Sequence, residues 1–269
     1  MNDSELTEYL SRIHLDDCHP NFDGLKSLQE HQMEHIPFEN LDVVVGRKIV
    51  LSHKHLFRKI ITQKRGGYCF ELNILYAELL SSIGFSLKPV LARVWLSNPK
   101  KTPPRNHLAH LVELDGKTFI TDVGFAGLVT RVPLDINNPT PVNDTDGMVR
   151  VIPFEDDQFM IQRQNETDWV NLYSFENVAI SEEDIEISNY YMSTHPNSHL
   201  IQHKCIGKNT REGRVGVFNN KLTTRSKLNS LHSRRVEYGD SWLETIKKEF
   251  SIELDFSVEE LNRLFEREG

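Results

Sequence analysis

Of the chain's three cysteines, one stands in a setting that suits a nucleophile. The segment reads Arg65-Gly66-Gly67-Tyr68-Cys69-Phe70-Glu71-Leu72-Asn73. Two adjacent glycines allow a tight backbone approach just ahead of a helix. Behind the cysteine, Phe70, Leu72, Leu75, Leu79 and Ile83 recur at roughly helical spacing, and Gly84 stands where a C-terminal cap belongs. Cys69 then sits at a helix N-terminus, where the dipole and free amides stabilise a thiolate, the nucleophilic form. A lone cysteine is by default a buried structural residue. The glycine pair before Cys69 and the helix after it set it apart.

A nucleophile needs a base, and twelve histidines compete for the role. Between His107 and Val123, Asp115-Gly116 separates two β-rich runs, a strong signal for a two-residue hairpin turn. That turn pairs Leu114 with Lys117 and sets Ala109 opposite Asp122. His107 and Asp122 then lie diagonally on one face, while His110 projects from the other. The register therefore selects His107 over His110. Asp122 holds one ring nitrogen of His107 and leaves the other to take a proton from Cys69, a nucleophile, base and orienting acid in series.

These residues belong to a chain of 269 residues with 38% hydrophobic side chains, long enough for one large domain or two modest ones. The first 85 residues read mostly helical, with candidate helices at Glu5–Ile13 and Leu25–His35, the second ending where Ile36 precedes Pro37. Short β-rich runs follow at Leu87–Leu96, His107–Leu114, Lys117–Val123, Gln158–Gln164 and Trp169–Phe175. The last third is mixed: a helix around Ser188–His195, a hairpin Arg214–Thr224 turning at Asn219-Asn220, and closing helices Ser241–Phe250 and Ser257–Glu268.

Composition narrows the function classes. The 39 acidic and 31 basic side chains give a net charge of −8, which argues against nucleic-acid partners because phosphate neutralisation needs a basic footprint. Acids concentrate in residues 155–186, Glu166 among them, and bases in residues 203–235, Lys227 among them. By composition these are two solvated faces. The cysteines are too few and scattered for a disulfide framework or a CxxC zinc site. No secretory signal opens the chain and no apolar run is long enough to span a bilayer, so a cytoplasmic protein without a membrane partner is expected. His31-Gln-Met-Glu34-His35 spells a zinc-protease pattern, but Pro37 ends its helix directly. His195, His199 and His203 are spaced by four, but Pro196 interrupts the first turn. No metal is expected.

Several blocks together resemble the arylamine N-acetyltransferases. Arg65 to Asn73 is similar to their RGGxCxExN signature, and Ile36-Pro37-Phe38-Glu39-Asn40-Leu41 to their PFEN block. His107 with the strand after it and Asp122-Val-Gly-Phe125 resemble the H…DVGFG segment, and His195-Pro-Asn-Ser198 the HPxS block. The resemblance implies an α+β fold in three parts with a cysteine-protease-like catalytic core. A helical domain over 1–85 would carry the nucleophile, a β-barrel-like domain over 86–187 the His and Asp, and an α/β lid would span 188–269. It implies a Cys69-His107-Asp122 triad and ping-pong transfer of an acetyl group from the co-substrate acetyl-CoA. Acetyl-Cys69 would pass that group to an arylamine, arylhydrazine or arylhydroxylamine. By the same resemblance Phe38 and Phe125 line the acceptor pocket. Arg65 with Glu39 is expected as a buried ion pair propping the cysteine loop, and a backbone oxyanion hole is expected, with the Cys69 amide as a candidate donor. The bases of 203–235, or Lys100, Lys101 and Arg105, are candidates to attract the phosphates of coenzyme A. Ala126 departs from the pattern, which has glycine there, and its methyl would narrow the acceptor site. The alternative is a cysteine hydrolase or transglutaminase-like enzyme with the same triad. Papain-type enzymes separate Cys from His by about 130–150 residues, whereas here the separation is 38 (69 to 107).

Overall fold

Polar caps start the first helices. α1 (Asp3–Arg12) opens at Asn2, whose side chain accepts from the Glu5 N–H while the Glu5 carboxylate accepts from the Asn2 N–H. α2 (Phe22–His35) opens at Asn21 and stops at an extended Ile36, the conformation a following proline favours. Next come β1 (Phe38–Glu39), the short helices α3 (Leu41–Val44) and α4 (His53–Phe57), and a π-helical turn at Arg58–Thr62. α5 (Cys69–Ile83) starts at the cysteine and ends at Gly84, which takes the left-handed conformation (φ +106°) expected of a cap. The computed structural model describes residues 1–96, 98–127, 130–165, 168–226 and 230–266. Glu166, Lys227 and the last two residues of the expected closing helix lie outside the described residues.

Eight strands then form one antiparallel sheet. They are β2 (Ser86–Val94), β3 (Arg105–Leu114), β4 (Lys117–Thr121), β5 (Leu134–Asp135), β6 (Val142–Asp144), β7 (Gly147–Phe154), β8 (Gln158–Asn165) and β9 (Asp168–Glu176). Their order is β5-β4-β3-β2-β9-β8-β7-β6, and β5 packs back against β7, so the sheet curls. The β3–β4 hairpin has the expected register, Leu114 opposite Lys117 through to His110 opposite Thr121. α6 (Glu182–Thr194) and α7 (His199–Gln202) lead to a second antiparallel sheet made of β1, β10 (Cys205–Thr210), β11 (Gly213–Phe218), β12 (Lys221–Ser226) and β13 (Leu231–Arg235), in that order. α8 (Asp240–Phe250) and α9 (Val258–Glu266) close the described chain. The fold is α+β, as expected.

One apolar core joins α1, α2 and α5 to the curled sheet; a second lies under the five-stranded sheet around Trp242, Ile246 and Phe250 of α8. β1 couples the two regions, with Phe38 opposite Gly207 of β10 on one side and bridged to Gly67 of the cysteine loop on the other.

Some expectations need correction. α6 begins at Glu182 rather than Ser188, because Ser181 and Asp184 cap each other's backbone N–H and acids suit the first turn. β7 was not expected although Val149-Arg150-Val151-Ile152 carries strand alternation, whereas β10 and β13 carry little local signal; β10 reads Cys-Ile-Gly-Lys-Asn-Thr and is held by strands on both sides. The two charged regions are not uniformly solvated: Lys204 is buried with its ammonium 4.7 Å above the Tyr238 ring, and Arg163 is buried against Asp144. Among the described residues, no helix is long and apolar enough to cross a membrane, and no three His, Cys, Asp or Glu side chains group to hold a metal ion.

Candidate active site

Cys69 is the first residue of α5, and its approach depends on the residues around it. A Cβ on Gly66 would stand 2.1 Å from the Pro37 carbonyl oxygen, and one on Gly67 would stand 2.8 Å from the Glu71 Cβ. Only glycine lets this loop lie against β1 and against its own helix. Glu71, in the first turn, accepts a hydrogen bond from the Tyr68 N–H at 3.1 Å.

His107 on β3 and Asp122 just beyond β4 meet as the register requires, with His107 Nε2 to Asp122 Oδ2 at 2.6 Å. Nε2 is thereby committed, and Nδ1 is the nitrogen left for the Cys69 thiol. Cys69, His107 and Asp122 are 5%, 3% and 2% exposed, so water screens their charges little. Burial disfavours a charged imidazole, but the Asp122 carboxylate and the hydrogen bonds to Asp122 and Cys69 outweigh it and push His107 up to about 10. Burial likewise opposes charge on Asp122, and His107, Asn73 and the Gly124 N–H together hold it below the usual carboxylate range. The His107 ring is wedged between Phe125 (5.1 Å between centroids) and Tyr173 (5.2 Å).

Asn73, one helical turn beyond Cys69, joins the two halves. Its Nδ2 donates to Leu108 O at 2.7 Å and Asp122 Oδ1 at 2.9 Å, and its Oδ1 accepts from the Val123 N–H at 3.0 Å. Gly124 closes the approach: a Cβ there would stand 2.7 Å from the Cys69 Cα.

Beneath the cysteine loop lies a cluster of charges. The expected pair of Arg65 and Glu39 is present at 2.7 Å, but it is part of a larger network. Arg65 also meets Asp42 at 3.0 Å, and Lys59, buried on the π-helical turn, meets Asp42 at 2.7 Å and Glu71 at 2.8 Å. Burial opposes the Asp42 charge, yet Lys59 and Arg65 push it down to about 2. Sequence reasoning gave no role to Lys59, Asp42 and Tyr173, and quoted Glu71 and Asn73 in the signature without assigning them one. Two of these carry a local signal, since Glu71 stands where a capping box places its acid and Asn73 recurs at i+4 from Cys69. Lys59, Asp42 and Tyr173 carry none.

Phe38 and Phe125 line one cavity of about 420 Å³, which Ala126 also borders and whose floor is the second sheet. His110 lies on the opposite face of β3, as the register requires, along a separate cavity of about 1450 Å³. Burial pushes His110 down to about 4, and its Nδ1 has no hydrogen-bond partner. The other histidine patterns are accounted for structurally. His31 Nδ1 bonds the Ile13 carbonyl, His35 Nδ1 bonds the His31 carbonyl, and His195 lies outside α6 as its C-cap.

Comparison with known proteins supplies independent context. A family model described as N-acetyltransferase matches residues 21–258. The chain is 30% identical over 263 residues to the arylamine N-acetyltransferase of Escherichia coli (strain K12), covering 95% of this chain and 93% of that protein. It is 33% identical over 211 residues to the arylamine N-acetyltransferase / N-hydroxyarylamine O-acetyltransferase of Salmonella typhimurium, covering 78% of this chain and 75% of the relative. Its structure is similar to that of an arylamine N-acetyltransferase from Salmonella typhimurium (TM-score 0.93, 28% identity, 99% of each chain). It is also similar to the Mycobacterium marinum arylamine N-acetyltransferase in complex with CoA (TM-score 0.88, 26% identity, 97% of each chain).

Proposed function

The chain belongs to the arylamine N-acetyltransferase family, and on that premise we propose that Cys69, His107 and Asp122 carry a ping-pong transfer from acetyl-CoA to an arylamine, arylhydrazine or arylhydroxylamine. The observation that carries the reading is the 2.6 Å contact of His107 Nε2 with Asp122, which leaves Nδ1 for a thiol at the start of α5.

In the first half-reaction the Cys69 proton passes to His107 Nδ1, and the Asp122 carboxylate on the other ring nitrogen stabilises the imidazolium that forms. The thiolate attacks the acetyl carbonyl, the bond from that carbon to the coenzyme sulfur breaks, and the departing thiolate takes the proton from His107. Acetyl-Cys69 and CoA result. In the second half the acceptor nitrogen attacks acetyl-Cys69 and His107 receives its proton. The carbon–sulfur bond to Cys69 breaks, which restores the starting thiolate and imidazolium. Asp122 fixes the ring and offsets its charge throughout, and Phe125 and Tyr173 hold it from the sides. The free N–H groups at the start of α5, the Cys69 amide among them, are the candidates to stabilise the oxyanion. Phe38 and Phe125 would receive the aromatic acceptor, and the Lys59-Arg65-Glu39-Asp42-Glu71 network would keep the cysteine loop in place. Binding of coenzyme A is supported by the relative solved with it.

The test is intact-mass spectrometry after brief mixing with acetyl-CoA and no amine, beside a Cys69→Ala control. One acetyl adduct, absent in the control and discharged by an aniline, is the expected result. A folded protein with a reactive Cys69 and no adduct refutes the reading. An adduct lost to water faster than to any amine returns the hydrolase alternative.

A further inference from the structure

His110 lines the cavity of about 1450 Å³ on the face of β3 that points away from His107. α5 and α6 form two of its walls, with Ile74, Ala77 and Ser81 on one and Ile185, Asn189 and Ser193 on the other. Each set recurs every three or four residues, as one face of a helix does. Pro89 of β2 and His110 of β3, paired in the sheet, supply the sheet side. Residues of α6 from Glu182 to Thr194 border the cavity, a span of about 18 Å at the helical rise. Its volume exceeds the roughly 300–1,000 Å³ of pockets that bury most of a drug-sized ligand, so an elongated molecule fits along it.

One polar side chain on this surface is buried and unused. His110 is 4% exposed and its Nδ1 is buried without a hydrogen-bond partner. Pro89, directly opposite on β2, has no N–H to offer. A buried polar group without a partner is costly, and a ligand that hydrogen-bonds the ring recovers that cost. Burial pushes His110 down to about 4, against the pull of Asp122. The ring is therefore neutral at neutral pH, with one nitrogen donating and the other accepting. The charges around the cavity are partnered or solvated. Arg47 meets Glu260 at 2.6 Å and Asp255 at 2.7 Å, Glu78 pairs with His53, and the Met1 ammonium donates to Ser82 Oγ at 3.2 Å. Lys48, Glu182 and Glu186 are exposed. Val43, Ile49, Val50, Leu51 and Ile201 add aliphatic surface.

We infer that this cavity is a second ligand site, for an elongated aliphatic molecule whose one polar group is a neutral amide hydrogen-bonded to His110. An amide offers both a donor and an acceptor, and so suits either tautomer of a neutral imidazole. A carboxylate or an ammonium beside the ring would lose its hydration and face no counter-charge there. The site is separate from the cavity that holds Phe38 and Phe125, and the inference does not depend on the transfer chemistry proposed above.

The experiment measures calorimetric binding of hexanamide, octanamide and octanoate to the wild type, His110→Leu and Ala77→Phe, beside NMR of the histidine rings. Octanamide is expected to bind the wild type more tightly than octanoate, and roughly fifteenfold more tightly than hexanamide for the burial of two further methylenes. Saturation with octanamide is expected to shift the imidazole signal that is absent from the His110→Leu spectrum. That variant should bind octanamide several-fold more weakly, up to about tenfold, the worth of one hydrogen bond. Ala77→Phe, which sets a ring into the cavity, should bind it more weakly still. Urea unfolding checks that each variant is folded; should Ala77→Phe fail to fold, the ring signal and His110→Leu still decide. The inference is overturned if octanamide does not bind saturably, if octanoate binds as tightly, if the longer chain brings no gain, or if saturation leaves the His110 signal in place and His110→Leu leaves the affinity unchanged.

Discussion

Gly124→Ala probes the contact that brings the His107–Asp122 pair to the cysteine. Gly124 does not occupy the left-handed region, so alanine is admissible to its backbone and the perturbation is steric. The new Cβ would stand 2.5 Å from Asn73 Nδ2, 2.7 Å from Cys69 Cα and 2.9 Å from Cys69 O, where ordinary contact begins at 3.4 Å. Two of these neighbours are backbone atoms of α5 and cannot rotate away. The gap to Cys69 Cα must therefore open by about 0.7 Å (3.4 − 2.7). Overpacking of this kind costs about 1–3 kcal/mol, and a displacement approaching 1 Å between reacting groups costs on the order of a hundredfold in rate. The assay follows single-turnover formation of acetyl-Cys69 by quenched intact mass, with urea unfolding measured alongside. The expected variant is folded, destabilised by about 1–3 kcal/mol, and slower to acylate by roughly a hundredfold. A folded variant that acylates within about threefold of the wild type, against the roughly hundredfold expected, would show that the spacing set by Gly124 does not control the chemistry.

The ionisation of His107 predicts how stability follows pH. Its pKa is raised from 6.5 to about 10 in the folded chain, so its contribution is fully present below pH 6.5 and lost as pH rises through 10. The stability difference between wild type and His107→Gln, read by urea unfolding, should shrink between pH 6.5 and 10; a difference that grows over that range rejects the ion pair. Lys59→Met leaves the Asp42 and Glu71 carboxylates without their shared cation and should cost about 3–5 kcal/mol. A cost under about 1 kcal/mol, the level of an exposed pair, would mean that the network relaxes or hydrates without Lys59.

How much of the site was legible depends on how far apart in the chain its parts lie. The hairpin needed only Asp115-Gly116 and strict alternation, and that register separates His107 from His110. The Cys69 helix needed only its apolar spacing and Gly84. α6 was partly legible through the Ser181-Asp184 capping pair, a four-residue signal, but a run of acids reads equally well as solvated surface. β10 was not legible, because its glycine and asparagine disfavour a strand and only pairing with β1 and β11 makes it one.

By itself the sequence singled out Cys69, His107 and Asp122 as candidates, because each is picked out by a rule spanning at most about 17 residues: a cap, a turn or a pleat. Only the tertiary structure decided that these residues meet. The Asn73 bonds to Leu108, Asp122 and Val123 span 35 to 50 positions, and the Gly124 approach to Cys69 follows from packing that local periodicity does not encode. The same holds for charge. In sequence, Lys59 is one base among many, and Arg214 and Arg225 belong to a basic run. Burial with carboxylates makes the first a strut under the cysteine loop, and strand pairing sets the other two directly opposite each other on β11 and β12, because the energy of a charge depends on the partners and water that the fold leaves it.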